Sequence, residues 1–340
     1  MKKILVVGAG LAGATVARCL ADKGFVVSVI DSRGHIAGNA FDYVDADTGI
    51  RIHKYGPHIF HTNNRRVVDW LSNFTDWVNY KHKVKAVLSD GTYCTLPVNR
   101  ETSALVGTEN VIDIFFKPYT EKMWGVGIEE LSPDTLNRVP VRNDMNEFYF
   151  PDDRYQMMPK NGYTAMVENI LHHENITVSL NTSFDKTLES RFFHVFSSQP
   201  IDEYYEFQFG ALPYRSIKFH NVVLDYPRFL PVPTVNFTNF GKYTRVTEWK
   251  SYPGGAIDNV DKTILTYEEP CDYRDNNHER YYPVKDVSGK NREIYEQYKS
   301  ISNPNLTFIG RCGLYVYLDM HQAVSSSLAA AKKFIENEEL

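Results

Sequence analysis

The chain has 340 residues, 43% hydrophobic and 23% charged, with a net charge of −5. That is room for about two to three domains, with no basic excess of the kind a nucleic-acid footprint needs, and no apolar run reaches the roughly 20 residues of a membrane span. The four scattered cysteines (Cys19, Cys94, Cys271, Cys312) read as reduced thiols of a cytoplasmic protein, and the 22 Tyr and 20 Phe are the compositional deviation.

The N-terminus, MKKILVVGAGLAGATVA, imitates a signal peptide, but its glycine spacing reads better as strand, turn and helix. KILVV is a β-branched run; Gly8, Gly10 and Gly13 follow, then a helical pattern through Lys23, then a second strand, FVVSVI, ending at Asp31. A glycine turn at a helix N-terminus lets backbone approach a pyrophosphate, and the acid is placed for a ribose hydroxyl. Beyond the acid, Arg33, Gly38 and Asn39 make a second loop suited to a longer, extended dinucleotide such as FAD.

RIHKYGPHIFHT, residues 51–62, carries His53, His58 and His61. A zinc site needs three or four ligands on compatible faces, usually with a cysteine or carboxylate nearby. Pro57 blocks a helix here, and no such partner is apparent, so a metal is not expected. KVKAVLSDGTYCTLPV is a hairpin pattern turning at Asp90-Gly91. Residues 101–135 read as helical and include FFKPYTEKMW, where Phe115, Tyr119 and Trp124 serve either a core or a ligand wall. Arg138, Arg142, Arg215 and Arg245 lie in apolar or strand-like contexts, as surface ion-pair partners or as phosphate clamps. Residues 163–173 predict an amphipathic helix followed by the strand ITVSL, and 207–267 predict successive strands. The C-terminus predicts a strand at 306–309, a Gly-Arg turn, and a closing helix with Val324, Leu328, Ala331 and Ile335 inward and Asp319 at its N-cap.

The expected fold is α/β. A discontinuous Rossmann-like FAD-binding domain (1–80, 155–205, 283–340) holds a small helical insertion (99–135) and an antiparallel substrate sheet (81–98, 136–154, 206–282).

Taken in order, HKYGPHIFHTN, FFKPYTEKMWG, RVPVR, PYRSIKF, YTRVTEWK, YYPV and FIGRCGLYVYLDM resemble the UDP-galactopyranose mutase family over nearly the whole chain. The resemblance implies a redox-neutral isomerase that interconverts pyranose and furanose forms of a nucleotide-linked hexose. FAD, reduced by NADH or NADPH, would offer N5 as nucleophile to the anomeric carbon, so no side-chain nucleophile is needed. It implies cofactor contacts from Gly8, Gly10, Gly13, Asp31, Arg33, Gly38, Asn39, Pro57, His58, Arg311, Asp319 and Met320. It implies that Arg138 and Arg245 grip the diphosphate, and that Phe115, Tyr119, Trp124 and Asn236 attend the nucleoside. Tyr149, Phe150, Tyr282 and Tyr317 would line the sugar and phosphate channel. The catalytic set is then His58, Arg138 and Arg245, with His58 against the flavin and His53 and His61 as structural supports.

Departures from the family pattern mark this chain as a shortened member. Some tens of residues are missing before FFKPYTEKMW, in the region that carries the family's dimer contacts, so a homodimer would rest on a reduced surface. Ala37 stands in a loop that usually has two glycines, and Val316 where arginine is common. The nucleotide sugar could be UDP-galactopyranose, UDP-N-acetylgalactosamine or a dTDP-6-deoxy sugar. Two other readings remain at this stage: an FAD oxidoreductase of the amine-oxidase type, and a silent nucleotide-sugar binder.

Overall fold

The computed structural model describes residues 2–127, 141–254, 261–284 and 286–338; the predicted diphosphate ligand Arg138 lies outside them. Five parallel strands form the first sheet, in the order Ile176–Ser179, Val26–Ile30, Lys3–Val7, His194–Ser197, Leu306–Phe308. KILVV sits at its centre, and its near-continuous apolar character is what a strand covered on both faces requires. The helix Leu11–Ala21 packs against it closely. A Cβ on Gly13 would lie 1.9 Å from the Gly8 carbonyl oxygen, so helix and strand can meet there only with glycine. The helix Gly162–Leu171 and the closing helix Met320–Glu338 complete the layer, burying Tyr163, Met166, Val167, Ile170, Val324 and Leu328 with Leu11–Ala21 residues in one core. The closing helix differs slightly from expectation: Phe334 is the buried residue of its last turn, and Ile335 packs only partly against the core.

The second sheet has seven strands, ordered Tyr282–Pro283, Tyr214–Leu224, Thr263–Asp272, Arg245–Glu248, Thr234–Phe237, Val84–Val87 and Tyr93–Leu96. All neighbours are antiparallel except Thr234–Phe237 with Val84–Val87. The hairpin turns where expected, with Gly91 at φ +87°. The stretch expected to be helical over 101–135 consists, among the described residues, of several pieces, including Arg100–Val106, a π-helical turn at Ile112–Phe116, and Lys117–Trp124. Gly107 at φ +83° breaks the first from the rest.

These layers bring one face of the second sheet over the C-terminal edge of the first. The 51–62 segment lies at the seam. Its strands Arg51–His53 and Phe60–Thr62 join different partners, and Gly56 (φ +84°) makes the turn between them.

Candidate active site

A trench of about 750 Å³ runs along the C-terminal edge of the parallel sheet, walled by the backbone of Gly8, Gly10 and Gly38 and by Asp31, Arg33 and Asn39. Gly10 is the N-cap of Leu11–Ala21, and no side chain caps that helix, so its first N–H groups are left for another partner. Opposite, the Ala37–Gly38 turn closes in: Ala37 N–H donates to Ala9 O at 2.9 Å, and a Cβ on Gly38 would sit 3.0 Å from Gly10 Cα. Ala37 itself holds φ +69°, a left-handed conformation that its replaced glycine would adopt freely. Asp31 accepts from Ala9 N–H at 2.8 Å and Arg33 N–H at 2.9 Å, which fixes its carboxylate at the trench wall. The Arg33 guanidinium donates to Asn39 Oδ1 at 2.8 Å and pairs with Glu279. The Gln199 side-chain oxygen is buried in the same wall without a partner. Two glycine-bearing loops, an uncapped helix end and a fixed acid fit an extended dinucleotide such as FAD.

The trench opens into a second cavity of about 660 Å³, and four residues line both: Asn39, His58, Arg311 and Met320. At this junction His58 Nδ1–H donates to Gly56 O at 2.8 Å, and its backbone N–H donates to His53 Nδ1 at 3.1 Å. Burial, with the positive charges of Arg311 and Arg245 nearby, lowers His58 to about 3. It is therefore a neutral imidazole at pH 7. Arg311 donates to the carbonyls of Tyr281 (3.0 Å) and Leu318 (2.6 Å), and its guanidinium lies 4.7 Å from the Tyr317 ring centroid. Asp319 takes the N-cap position: Ala323 N–H donates to its carbonyl, and its own N–H donates to Gln322 Oε1.

The second cavity is a side-chain construction. Asn236, Arg245 and Glu268 stand in one cross-strand row of the seven-stranded sheet. Arg245 faces the cavity, 2.8 Å from the carboxylate of Glu268, which is 1% exposed. Burial opposes the guanidinium charge, but Glu268, Tyr119 and Tyr282 around it hold it above its ordinary value. Asn236 turns a buried, unpartnered side-chain oxygen into this wall. Opposite lie Phe115, on the π-helical turn, and Tyr119 and Trp124, on the helix Lys117–Trp124, whose last turn is tied down twice. Lys122 Nζ donates to the carbonyls of Phe237, Asn239 and Tyr243, and Arg215 donates to the Met123 carbonyl at 2.7 Å. Burial lowers Lys122 to about 8. Tyr282 stacks on Tyr317 (5.8 Å, 17°), and Tyr149 and Phe150 finish the channel.

The structure thus gathers the predicted residues around two adjoining cavities, with two qualifications. Gly13 lies behind the trench, acting through helix packing, and Arg138 is outside the described residues. Of the other arginines singled out, Arg142 and Arg215 hold backbone carbonyls and only Arg245 faces a cavity. Arg215 fits neither alternative offered for it, surface ion pair or phosphate clamp, while the largely buried Arg142 also lies 3.9 Å from the Asp144 carboxylate. His61, expected as a support, lines the substrate cavity. Sequence reasoning missed Glu268 and His82. Glu268 is one of two adjacent glutamates in TYEEP, and strand alternation marks one of them as inward. His82, whose ring nitrogen lies 3.1 Å from Tyr80 OH, left no sequence signal. Val316, in place of the family arginine, lines neither cavity.

A family model for UDP-galactopyranose mutase matches residues 114–317, and one for an NAD(P)-binding Rossmann-like domain matches 6–74. A probable UDP-galactopyranose mutase of Klebsiella pneumoniae is 33% identical, covering 99% of this chain and 95% of that protein. That alignment runs over 380 positions, so the relative carries residues that this chain lacks. A dTDP-fucopyranose mutase of Escherichia coli is 32% identical, covering 99% of both chains. Among solved structures, a reduced UDP-galactopyranose mutase superposes with a TM-score of 0.72 at 15% identity, covering 99% of this chain and 96% of that one.

Proposed function

Since the chain belongs to the UDP-galactopyranose mutase family, we propose that it interconverts the pyranose and furanose forms of a nucleotide-linked hexose. The carrying observation is Arg245, a buried guanidinium held by Glu268 in the wall of a cavity that joins a dinucleotide trench at His58. When bound and reduced, FAD supplies the electron pair that the anomeric carbon needs while the diphosphate is away, with no net oxidation. The chain's own residues position and neutralise. The trench backbone and the uncapped helix take the cofactor's pyrophosphate, and Asp31 takes its ribose. Arg245 faces the leaving diphosphate with a charge whose direction Glu268 sets; the partner role of Arg138 rests on the family resemblance. Phe115 and Tyr119 enclose the base, and the orphaned Asn236 oxygen accepts an N–H from it, a group that uracil and thymine share. Trp124, Tyr149, Phe150, Tyr282 and Tyr317 exclude water from the sugar. Neutral His58 offers Nε2 as an acceptor at the junction.

The amine-oxidase alternative gives way to the family match. The three-part domain division, a cytoplasmic location, reduction by NADH or NADPH, and assembly as a homodimer belong to the same proposal, as does the absence of a nucleic-acid partner. No helix among the described residues is long and apolar enough to cross a membrane. The test is product analysis by chromatography after incubation with UDP-galactofuranose and dithionite. Pyranose product supports the reading. Failure across a panel of UDP and dTDP hexoses would overturn it.

A further inference from the structure

We propose that His61, oriented by Asp153, carries the proton that the sugar takes up and gives back as its ring opens and recloses; this rests on the mutase reading above.

Three histidines line the substrate cavity, and they are held differently. His58 is tied to the Gly56 carbonyl and His82 to the Tyr80 hydroxyl, so neither has a carboxylate behind it. His61 donates from Nδ1 to Asp153 Oδ2 at 2.6 Å. Asp153 is fixed in turn, its other oxygen accepting from Asn63 Nδ2 at 3.0 Å, while Asn63 Oδ1 accepts from Arg154 N–H at 2.8 Å. Phe150 clamps the imidazole by stacking at 3.6 Å and 9°. Asp153 does not line the cavity, so the carboxylate sits behind the ring and the edge left to the cavity is that of Nε2. An imidazole oriented by a carboxylate and free on its other nitrogen is the arrangement of a general acid–base. His61 lines the same cavity as His58, the residue at the cofactor junction, and follows it by three positions in the chain.

The step balances without a further reagent. As the C1–O5 bond breaks, its electron pair goes to O5, which takes the proton from Nε2. The C4 hydroxyl then returns a proton to that nitrogen as its oxygen pair closes on C1. Reversal follows the same path, and no proton or electron is gained over the cycle. Asp153 faces the charge that the ring carries in its protonated form.

The test compares two readouts on flavin-loaded, reduced protein with UDP-galactopyranose carrying ¹⁸O in the sugar–phosphate bridge, and with dTDP-fucopyranose labelled likewise. Scrambling of label into the non-bridging position reports cleavage and re-formation of the sugar–phosphate bond, and furanose yield reports the whole reaction. For His61→Asn, furanose formation should fall by about 100-fold or more, while scrambling and flavin absorbance stay near wild type. Asp153→Asn should show the same pattern with a smaller loss. Equal loss of scrambling and furanose would mean that His61 only holds the sugar, and unchanged furanose formation that it is idle; either overturns the proposal. Loss of flavin from both variants would make the pair structural and overturn it too. A wild type that shows neither reaction overturns the mutase reading itself.

Discussion

Along the trench, the chain offers backbone: Gly10 and Gly38 almost touch, and a helix end is left uncapped. Across His58, the cavity is made of side chains drawn from distant parts of the sequence, with Phe115, Asn236, Arg245, Tyr282 and Tyr317 meeting over one sheet face. A backbone-built site tolerates almost no added atom but is indifferent to most side chains around it. A side-chain-built site tolerates substitution structurally and loses chemistry one group at a time. The two halves should therefore fail differently: trench mutations through folding and cofactor, cavity mutations through turnover.

The largest effect is expected at Gly13. Any Cβ there meets the Gly8 carbonyl oxygen at 1.9 Å, with backbone on both sides unable to yield. Gly13→Val should cost about 3 kcal/mol or more of stability and yield protein without the flavin band near 450 nm. Soluble, fully yellow Gly13→Val protein would break the comparison on the trench side.

Arg245→Ala should be the strongest cavity substitution, lowering turnover by about 100-fold or more while the flavin absorbance stays intact. It also strands Glu268, which is 1% exposed, so some stability is lost with it. Pairing it with Glu268→Gln removes the stranded charge. The double variant should regain melting temperature without regaining turnover. Full activity in Arg245→Ala would dissolve the diphosphate assignment.

A smaller effect comes from two deeply buried imidazoles, the support His53 and the cavity residue His82. His53 and His82 are 2% and 3% exposed, and burial lowers each to about 3. Both are neutral in the folded chain, whereas the unfolded chain protonates them below about pH 6.5. The unfolded state then binds more protons, so their contribution is intact above pH 6.5 and is lost as pH falls toward 3. Each contributes a slope of up to about 1.4 kcal/mol per pH unit in that window. Replacing His53 with glutamine should flatten the fall in stability between pH 6 and pH 4 by about that much; an unchanged slope would place its titration elsewhere.

The smallest effect is Ala37→Gly, which relieves a residue at φ +69°. It should change stability by about 1 kcal/mol or less with flavin affinity preserved, as read by thermal melting and flavin fluorescence. A marked loss of affinity would mean that the Ala37 methyl contributes to the trench.

The same contrast explains what was legible in the sequence. The trench is local: Gly8, Gly10, Gly13 and Asp31 span one strand–turn–helix–strand unit, and spacing alone conveys their job. The hairpin at Asp90-Gly91 and the closing helix were legible for the same reason. The cavity depends on register. That Asn236, Arg245 and Glu268 form one row follows from pairings between strands, and no local pattern encodes them. Family resemblance supplied Asn236 and Arg245 but not Glu268. Nor could spacing distinguish Arg245 from Arg142 and Arg215, because the difference lies in which backbone carbonyls happen to be within reach. The helical character of the 101–135 stretch was legible in its composition, but its division at Gly107, φ +83°, was not. Of the histidines at 51–62, the sequence showed a cluster and the structure shows two tasks. His53 supports His58 through its ring nitrogen, while His61 turns away to Asp153.

The most direct test of the central claim is an anaerobic count of product against electrons. The purified protein is given one equivalent of dithionite per flavin and an excess of UDP-galactopyranose or dTDP-fucopyranose, and furanose is quantified alongside the flavin's redox state. A redox-neutral mutase predicts many furanose molecules per reduced flavin, with the flavin still reduced at the end. Product limited to one per electron pair, with the flavin reoxidised in step, would contradict it.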